Sequence, residues 1–510
     1  GGWRPAPWLI GAACYALSWP LVDGLNLSFL AWGAFVPLLL EAERYDRFGP
    51  FAWRVLAFMG LAGVVSCWWW FADVRTLAWA GGAHEILLSS VPLLLLYPLK
   101  RALGTDRALW ALVLVWPLWE WTYNHWEFSI SSILLGYTQA GSVWLVQYAD
   151  LFGVWAVTAW VALFNVLLAQ AYRAHGWSRP FRVRALRVAA VVLAVPLAYA
   201  GLRALTLAPS GEVRVAAVYT DFDPVPNADG GRRIERLTHL TDSTAYFAAR
   251  PPDLYVWPEG ALPYAWTSES RPFIRQAVAD WQTPLLTGHT GLEAGALRDS
   301  AKFNRALLLE PGVDEGPVYA KRRLMPFREG LPHARWLGGV PLLADVRSRE
   351  RLFEPGRRPT LMQVETAGGT EVRVATPICH EQQFPGLWAD WVGEGADLFV
   401  HLSYESWFGD EGFEAHFLHI TRLRAIESRR SIVRVSNGGP TAFIDGFGRV
   451  VARGGGGEGV LTRSPAIYTA TPLYARAPWL FPLLCAAGLA ALGIRSQRRP
   501  EARAESRNTR

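Results

Sequence analysis

Lysine is nearly absent from this chain: of its 50 Lys and Arg residues, only Lys100, Lys302 and Lys321 are lysines. Arginine serves wherever a generic cation is enough. A surviving lysine therefore marks a place where a compact ammonium with a tunable pKa suits better than a bulky, permanently charged guanidinium. Cysteine is as scarce. Cys14, Cys67 and Cys485 fall in hydrophobic runs, so Cys379 is the only cysteine of the polar part, and no intradomain disulfide framework is possible there. Clusters of metal ligands are missing too. His416 and His419 stand three apart on a predicted helix without a third ligand, so a metal site is not expected. There is no basic stripe interleaved with aromatics, and the net charge of +6 averages over unlike halves. No nucleic-acid partner is expected.

What the chain does have is long apolar runs. At 510 residues it exceeds one ordinary core, and its composition divides it into residues 1–207, a series of Leu-, Ala-, Val- and Trp-rich stretches; 208–475, which alternates charged and apolar residues as a soluble domain does; a last apolar run at 476–496; and a basic tail, 497–510. A bilayer-spanning helix needs about 20 mostly apolar residues, because it must satisfy its own backbone in hydrocarbon. Spans are predicted near 7–20, 25–41, 51–71, 78–99, 107–122, 142–170, 184–205 and 478–495, about eight in all, with no cleavable signal peptide before them. Basic residues occupy alternate loops: Arg44 and Arg47; Lys100, Arg101 and Arg107; Arg173, Arg179, Arg182 and Arg184; then the tail. The positive-inside rule makes these cytoplasmic and puts residues 206–477 on the outer side. The Ser- and Gly-broken stretch 126–137 reads as an outer-surface or re-entrant loop, or as a plain connector.

From 213 onward, short β-rich runs alternate with helical stretches, the pattern of an α/β domain. Strands are predicted near 213–220, 253–257, 284–289, 306–309, 317–320, 372–376, 397–402 and 432–436, with helices near 232–249, 271–282, 382–393 and 413–430. Three polar signals fall where strands end. In Val256-Trp-Pro-Glu-Gly-Ala-Leu-Pro263, stiff backbone presents Glu259, a carboxylate suited to a general base if burial raises its pKa, or else a solvated turn residue. In Tyr319-Ala-Lys-Arg-Arg-Leu-Met-Pro-Phe-Arg-Glu329 the rare lysine Lys321 ends a strand; chance retention is the other reading. In Arg373-Val-Ala-Thr-Pro-Ile-Cys-His-Glu381, Cys379 falls between a strand and a helix, where N-terminal amides favour thiolate, although a lone cysteine can equally be packing. Together Glu259, Lys321 and Cys379 supply a base, a cation for a developing oxyanion and a nucleophile, the requirements of acyl transfer through a thioester.

The order Trp-Pro-Glu, then Tyr-x-Lys-x-x-Leu-x-Pro-Phe-x-Glu, then Ile-Cys-x-Glu resembles the nitrilase superfamily, and with flanking membrane helices it is similar to the apolipoprotein N-acyltransferase family. Leu135-Gly-Tyr-Thr-Gln139, Tyr148-Ala-Asp-Leu-Phe-Gly-Val154, Trp407-Phe-Gly-Asp410, His416, Arg424-Ala-Ile-Glu427, Arg434 with Asn437, and Thr471-Pro-Leu-Tyr-Ala-Arg476 match as well. The resemblance implies an αββα sandwich on the outer side of a bacterial inner membrane. It implies a phospholipid acyl donor, whose sn-1 chain passes through a Cys379 thioester, and a diacylated lipoprotein acceptor. Glu329, Glu381, His380 and Arg328 would support the triad, and Trp257, Tyr137, Trp407 and Asn437 would contact substrate. Three positions depart from the family pattern. His380 stands for Tyr, Arg328 for Gly, and Ser403-Tyr-Glu-Ser406 for Ser-Asn-Asp-Ala; all flank the pocket, where they bear on donor and acceptor choice. A membrane-tethered amidase with the same triad is the alternative within this chemistry, and a homologue with a different acyl acceptor is a further one.

Overall fold

The computed structural model describes residues 6–22, 24–72, 78–176, 178–222, 230–247, 250–262, 270–292, 302–313, 316–337, 339, 353–406, 411–454 and 457–508. Fourteen strands are seen among them: β1 Gly211–Glu212, β2 Val215–Tyr219, β3 Leu254–Val256, β4 Leu285–Leu292, β5 Lys302–Leu309, β6 Val318–Ala320, β7 Leu361–Glu365, β8 Glu371–Ala375, β9 Leu398–Tyr404, β10 Ser431–Asn437, β11 Ala442–Ile444, β12 Val450–Arg453, β13 Gly459–Arg463 and β14 Ala466–Ile467. Twelve form two six-stranded sheets, in the orders β13-β2-β3-β4-β5-β6 and β12-β11-β10-β9-β8-β7. In each, three central strands are parallel and the outer ones antiparallel.

Strand periodicity decides which side chain faces which layer. Val215, Ala217, Leu254 and Val256 point inward and pack against Val374, Val400, Leu402, Val433 and Val435 of the other sheet. Their neighbours Ala216, Val218, Tyr255 and Trp257 point outward, onto Ile234 and Leu237 of the Gly230–Phe247 helix and Ile274 and Val278 of the Ser270–Trp281 helix. On the second sheet Trp388 and Trp391 of Pro385–Gly393, with Leu418 and Ala425 of Glu411–Ser428, cover the outer face. The result is the αββα sandwich expected.

The Glu411–Ser428 helix has two apolar faces. Ile420, Leu423 and Ile426 turn away from the sheet and join the core of the apolar bundle, together with Val154, Val157 and Tyr474. Four helical stretches are long and apolar enough to cross a membrane: Phe48–Ser66, Ala78–Leu103, Ala149–His175 and Arg179–Thr206. Pro7–Leu17 and Leu480–Ile494 are shorter apolar helices, and Thr105–Asn124 is a further helix of the bundle. The span expected at 25–41 is not one helix. It is a 3₁₀ turn, Ser28–Trp32, then Val36–Glu41, separated at Gly33, where proline two residues into the second piece favours a fresh start over continuation.

Three basic loops meet at one end of the bundle. Arg173 pairs with Glu43 at 2.5 Å and also with Asp106, while Lys100 donates to the carbonyls of Ala42 and Tyr45 at 2.9 and 2.8 Å. The opposite end holds the sandwich. There residues 129–140 are almost wholly buried despite an irregular backbone. Carboxylates replace the missing ladder: Glu85 accepts from the amides of Ser131 and Ser132, and Glu120 from the amide of Leu135 at 2.7 Å. This is how non-helical backbone survives in such surroundings.

The joint between the two parts is polar and largely buried. Arg429 and Arg203 share Asp150 at 2.8 and 2.9 Å, and Glu427 accepts from the amide of Val154 at 2.7 Å. Gly153 lies at φ 69° inside the Ala149–His175 helix. A side chain would be strained there, and its Cβ would fall 2.5 Å from the Tyr474 ring. Residues 148–154, 424–427 and 471–476, scattered in sequence, thus meet in one contact.

Candidate active site

The three strand-end signals converge. β3 delivers Glu259, β6 delivers Lys321 and β8 delivers Cys379. The backbone can approach this closely because Gly288 on β4 has no side chain; a Cβ there would lie 2.6 Å from Cα of Glu259. Lys321 is 1 % exposed, with its ammonium 2.8 Å from Glu329 and 3.7 Å from Glu259. Asn304, on β5, donates from one amide nitrogen to Glu259 at 2.7 Å and to Glu329 at 3.2 Å. The second Glu329 oxygen accepts from the amide of Met325 at 2.8 Å. Oε2 of Glu259 is buried and, among the described residues, accepts no hydrogen bond of ordinary geometry. The Cys379 thiol lies beside that carboxylate and favours its ionised form.

Electrostatics divides the two glutamates. Burial raises the Glu259 pKa, and although Lys321 opposes this, the nearby Glu329 adds to it. Glu329 is also mostly buried, but the Lys321 ammonium and its direct bond outweigh burial and hold it below the usual carboxylate range. Burial works against the charge on Lys321, yet Glu329 and Glu259 more than offset it, and the ammonium is retained. One carboxylate is thus fixed as a counter-ion and the other is poised to take a proton.

Cys379 is half-buried and has φ 50°, a left-handed conformation unfavourable for a side chain. Its surroundings enforce it. Glu381, in the same 3₁₀ turn Cys379–Gln383, accepts from Ile378 N, Tyr319 Oη and the amides of Arg322 and Arg323, so one buried carboxylate ties the nucleophile turn to the lysine loop. His401 Nε2 donates to the Cys379 carbonyl at 2.9 Å. The expected thiolate is not the resting form: burial, then Glu259, raise the thiol pKa more than Lys321 lowers it. The turn is too short to supply the dipole of a long helix. His380 is buried edge-on to Phe384 and neutral, its pKa pushed down to about 3 by burial and then Lys321.

Of the remaining expected residues, Arg328 is exposed on the loop leading to Glu329. Three expected substrate contacts are engaged within the protein. Trp257 is fully buried on the helix side of β3, where it continues the outward set of Tyr255 and donates to Thr241 at 3.0 Å; the strand has ended before Glu259, which lies in the turn after Pro258. Asn437 uses its whole amide: it accepts from Thr220 and Phe222 N and donates to Phe222 O and Ser406, clamping β10 to the end of β2. Tyr137 is buried under Arg424 and donates to the Gln383 carbonyl at 3.1 Å. Trp407 lies outside the described residues. The Ser403-Tyr-Glu-Ser406 departure places Glu405 in a buried ion pair with Arg434, also accepting from Ser403. Asn304, between Lys302 and Arg305 on β5, had no signature in the sequence, and His401 had only that of a polar residue within the apolar start of β9.

Comparison with known proteins accounts for both parts. Residues 227–465 match the carbon-nitrogen hydrolase family and residues 11–167 the apolipoprotein N-acyltransferase N-terminal domain. The solved structure of Saccharomyces cerevisiae Nit3, a nitrilase-superfamily member, aligns over 51 % of this chain and 91 % of its own, at 17 % identity and a TM-score of 0.38. The apolipoprotein N-acyltransferase of Geobacter metallireducens is 30 % identical, covering 87 % of this chain and 85 % of that one. That of Chlorobaculum tepidum is 33 % identical over 502 residues, 94 % of this chain and 93 % of its own. With apolar bundle and sandwich both matched, and matched in one continuous relative, the chain belongs to the apolipoprotein N-acyltransferase family.

Proposed function

We propose that this protein moves the sn-1 acyl chain of a phospholipid to the N-terminal amine of a diacylglyceryl-cysteine on an apolipoprotein, with Cys379 as the relay. The observation that carries this reading is the meeting of Glu259, Lys321 and Cys379 at one mouth of the sandwich, on the side packed against an apolar bundle. In the first half-reaction the thiol proton passes to Oε2 of Glu259 as sulfur attacks the ester carbonyl. The oxyanion that forms is held by the Lys321 ammonium, and collapse expels the glycerol oxygen of a lysophospholipid, which takes the proton from Glu259. In the second, the acceptor amine attacks the thioester, Glu259 receives its proton, and the thiolate leaves and is reprotonated. Glu329 acts as a positioning counter-ion for Lys321, and Glu381 holds the nucleophile turn. No step calls for a metal or organic cofactor.

In this reading residues 1–207 and 476–496 lie in a bacterial inner membrane with about eight crossings, 208–475 form the catalytic part on the outer side, and 497–510 are a cytoplasmic tail. Both substrates are lipid-anchored, so a site at the bilayer surface shortens their search and admits acyl chains sideways without exposure to water. The test is incubation of purified protein with labelled phospholipid and a diacylated lipopeptide. Amide product is expected; free fatty acid alone would identify a membrane-tethered amidase instead.

Two further outcomes follow from the geometry. The base must be ionised to accept a proton, and the Glu259 pKa is raised. Acyl loading therefore rises with pH through a limb lying above the ordinary glutamate value of about 4.3, measured as the lysophospholipid burst across a pH series. A limb at or below that value contradicts Glu259 as base. The Gln383 carbonyl, four residues past Cys379, accepts from both Tyr137 and Asn124 at 3.1 Å, so the bundle steadies the strained nucleophile turn. Tyr137→Phe keeps the ring and removes one of these bonds, worth about 1 kcal/mol. Acyl loading should fall about 5- to 10-fold with KM for phospholipid little changed; a change confined to KM would return Tyr137 to substrate binding.

A further inference from the structure

Three basic side chains at the bundle end remote from the sandwich already have partners. Arg173 is held by Glu43 and Asp106, Lys100 by two carbonyls, and Arg54 by Tyr45 and Glu41. Arg179, Arg184 and Arg187 differ: among the described residues none of them has an ion pair or hydrogen bond through its side chain. They occur within the first nine residues of the Arg179–Thr206 helix and, with His175, Pro180 and Val183, line an open groove of about 570 Å³ where the preceding helix ends. Among the described residues no carboxylate lines it. Three guanidiniums gathered without a counter-charge repel one another, and an anion between them relieves that repulsion.

The surroundings indicate what kind of anion. The Arg179–Thr206 helix is about 42 Å long at 1.5 Å per residue, longer than a hydrocarbon core of about 30 Å. Its basic first turns therefore fall at headgroup level. Beyond them it is scarcely covered by protein: 11 % of its apolar window is buried, and Leu186, Val191 and Val195 are 71, 65 and 67 % exposed. A charged groove that runs onto a bare apolar flank fits an amphiphile, whereas a free phosphate would use only the first part of it. We propose that this groove binds the phosphate headgroup of an anionic phospholipid from the leaflet opposite the catalytic sandwich, its acyl chains lying along the exposed side of the Arg179–Thr206 helix. The site is separate from Cys379 and rests only on the membrane placement given above.

Native mass spectrometry of the full chain, released from detergent after titration with phosphatidylglycerol or phosphatidylcholine, tests it. One additional phosphatidylglycerol should be retained on the wild type relative to phosphatidylcholine. Arg184→Gln and Arg187→Gln, made singly so that the loop keeps enough positive charge for its topology, should each cut the occupancy of that lipid at least threefold, while Arg184→Lys retains most of it. Acyl loading of Cys379 should be unchanged in all three, which verifies that they fold. Equal retention of both lipids, unaltered occupancy in both glutamine variants, or displacement by millimolar glycerol phosphate would each overturn the proposal, the last by showing a soluble-phosphate site.

Discussion

Cys379→Ser is expected to give a folded, membrane-inserted protein that carries no acyl adduct and makes no amide, a loss of at least about 10³-fold. The substitution is nearly isosteric, and the bonds that hold the turn come from Glu381 and His401 rather than from sulfur, so the fold has little reason to change. What changes is proton affinity. In this site the thiol is already harder to ionise than usual, because it is buried beside Glu259. Proton transfer to Glu259 is feasible only because burial raises that carboxylate in the same direction. A serine hydroxyl lies several units higher still, beyond what a carboxylate can accept, and oxygen is the poorer nucleophile toward an ester. Peptide mass spectrometry after incubation with phospholipid should find wild-type protein acylated on Cys379 and the serine variant unmodified. An adduct on Cys14, Cys67 or Cys485 would remove Cys379 from its role.

The sequence made the site legible through a simple geometric fact: a polar residue directly after an apolar strand is carried to the sheet's end, and successive parallel strands bring such ends together. Glu259 could be found in that way because β3 is wholly apolar, and Cys379 because β8 alternates charged and apolar residues; Lys321 follows β6, a three-residue edge strand antiparallel to β5, and was marked instead by the rarity of lysine. Other expected contacts are engaged elsewhere. Trp257 is two residues from Glu259, a spacing that pleating alone would put on one face, but Trp257 continues the outward set of Tyr255 into the helix layer while Glu259 lies in the turn after the strand has ended. Asn437 lies at the end of β10, as an active residue would, yet Thr220 at the end of β2 is close enough to take up its amide. All eight predicted strands are present, since their runs are apolar and bounded. The six that escaped, β1, β7 and β11 to β14, lie at sheet edges or in hairpins; β11 is buried but only three residues long, and the other five include exposed or half-exposed residues that give a weak pattern. In the bundle, hydropathy identified apolar stretches without revealing that 25–41 is broken or that Glu85 and Glu120 support an irregular segment. Glu85 and Glu120 reach that segment from as far as 47 and 15 residues away, beyond the range of a periodicity window.

Lys321→Arg should lower acyl loading about 10²- to 10³-fold although the charge is unchanged. The ammonium occupies a pocket that leaves it 1 % exposed, in contact with Glu329 at 2.8 Å and within reach of Glu259 at 3.7 Å, with Asn304 bridging the two carboxylates. A point charge can face both glutamates and still offer a proton toward a nascent oxyanion. A planar guanidinium is larger, fixes its donors in one plane, and would pair in a two-pronged fashion with one carboxylate. Pulled toward Glu329, it leaves the oxyanion without its cation; pulled toward Glu259, it lowers the proton affinity that makes this residue a base. Either displacement weakens the transition state more than substrate binding, so the loss should appear in the rate of lysophospholipid release at saturating phospholipid rather than in KM. Lys302 supplies the internal control. It begins β5 and is only partly buried, so Lys302→Arg should stay within about twofold of wild type if arginine substitutes wherever charge alone is needed. Equal activity for the two variants would mean that the rarity of lysine in this chain carries no information about position 321.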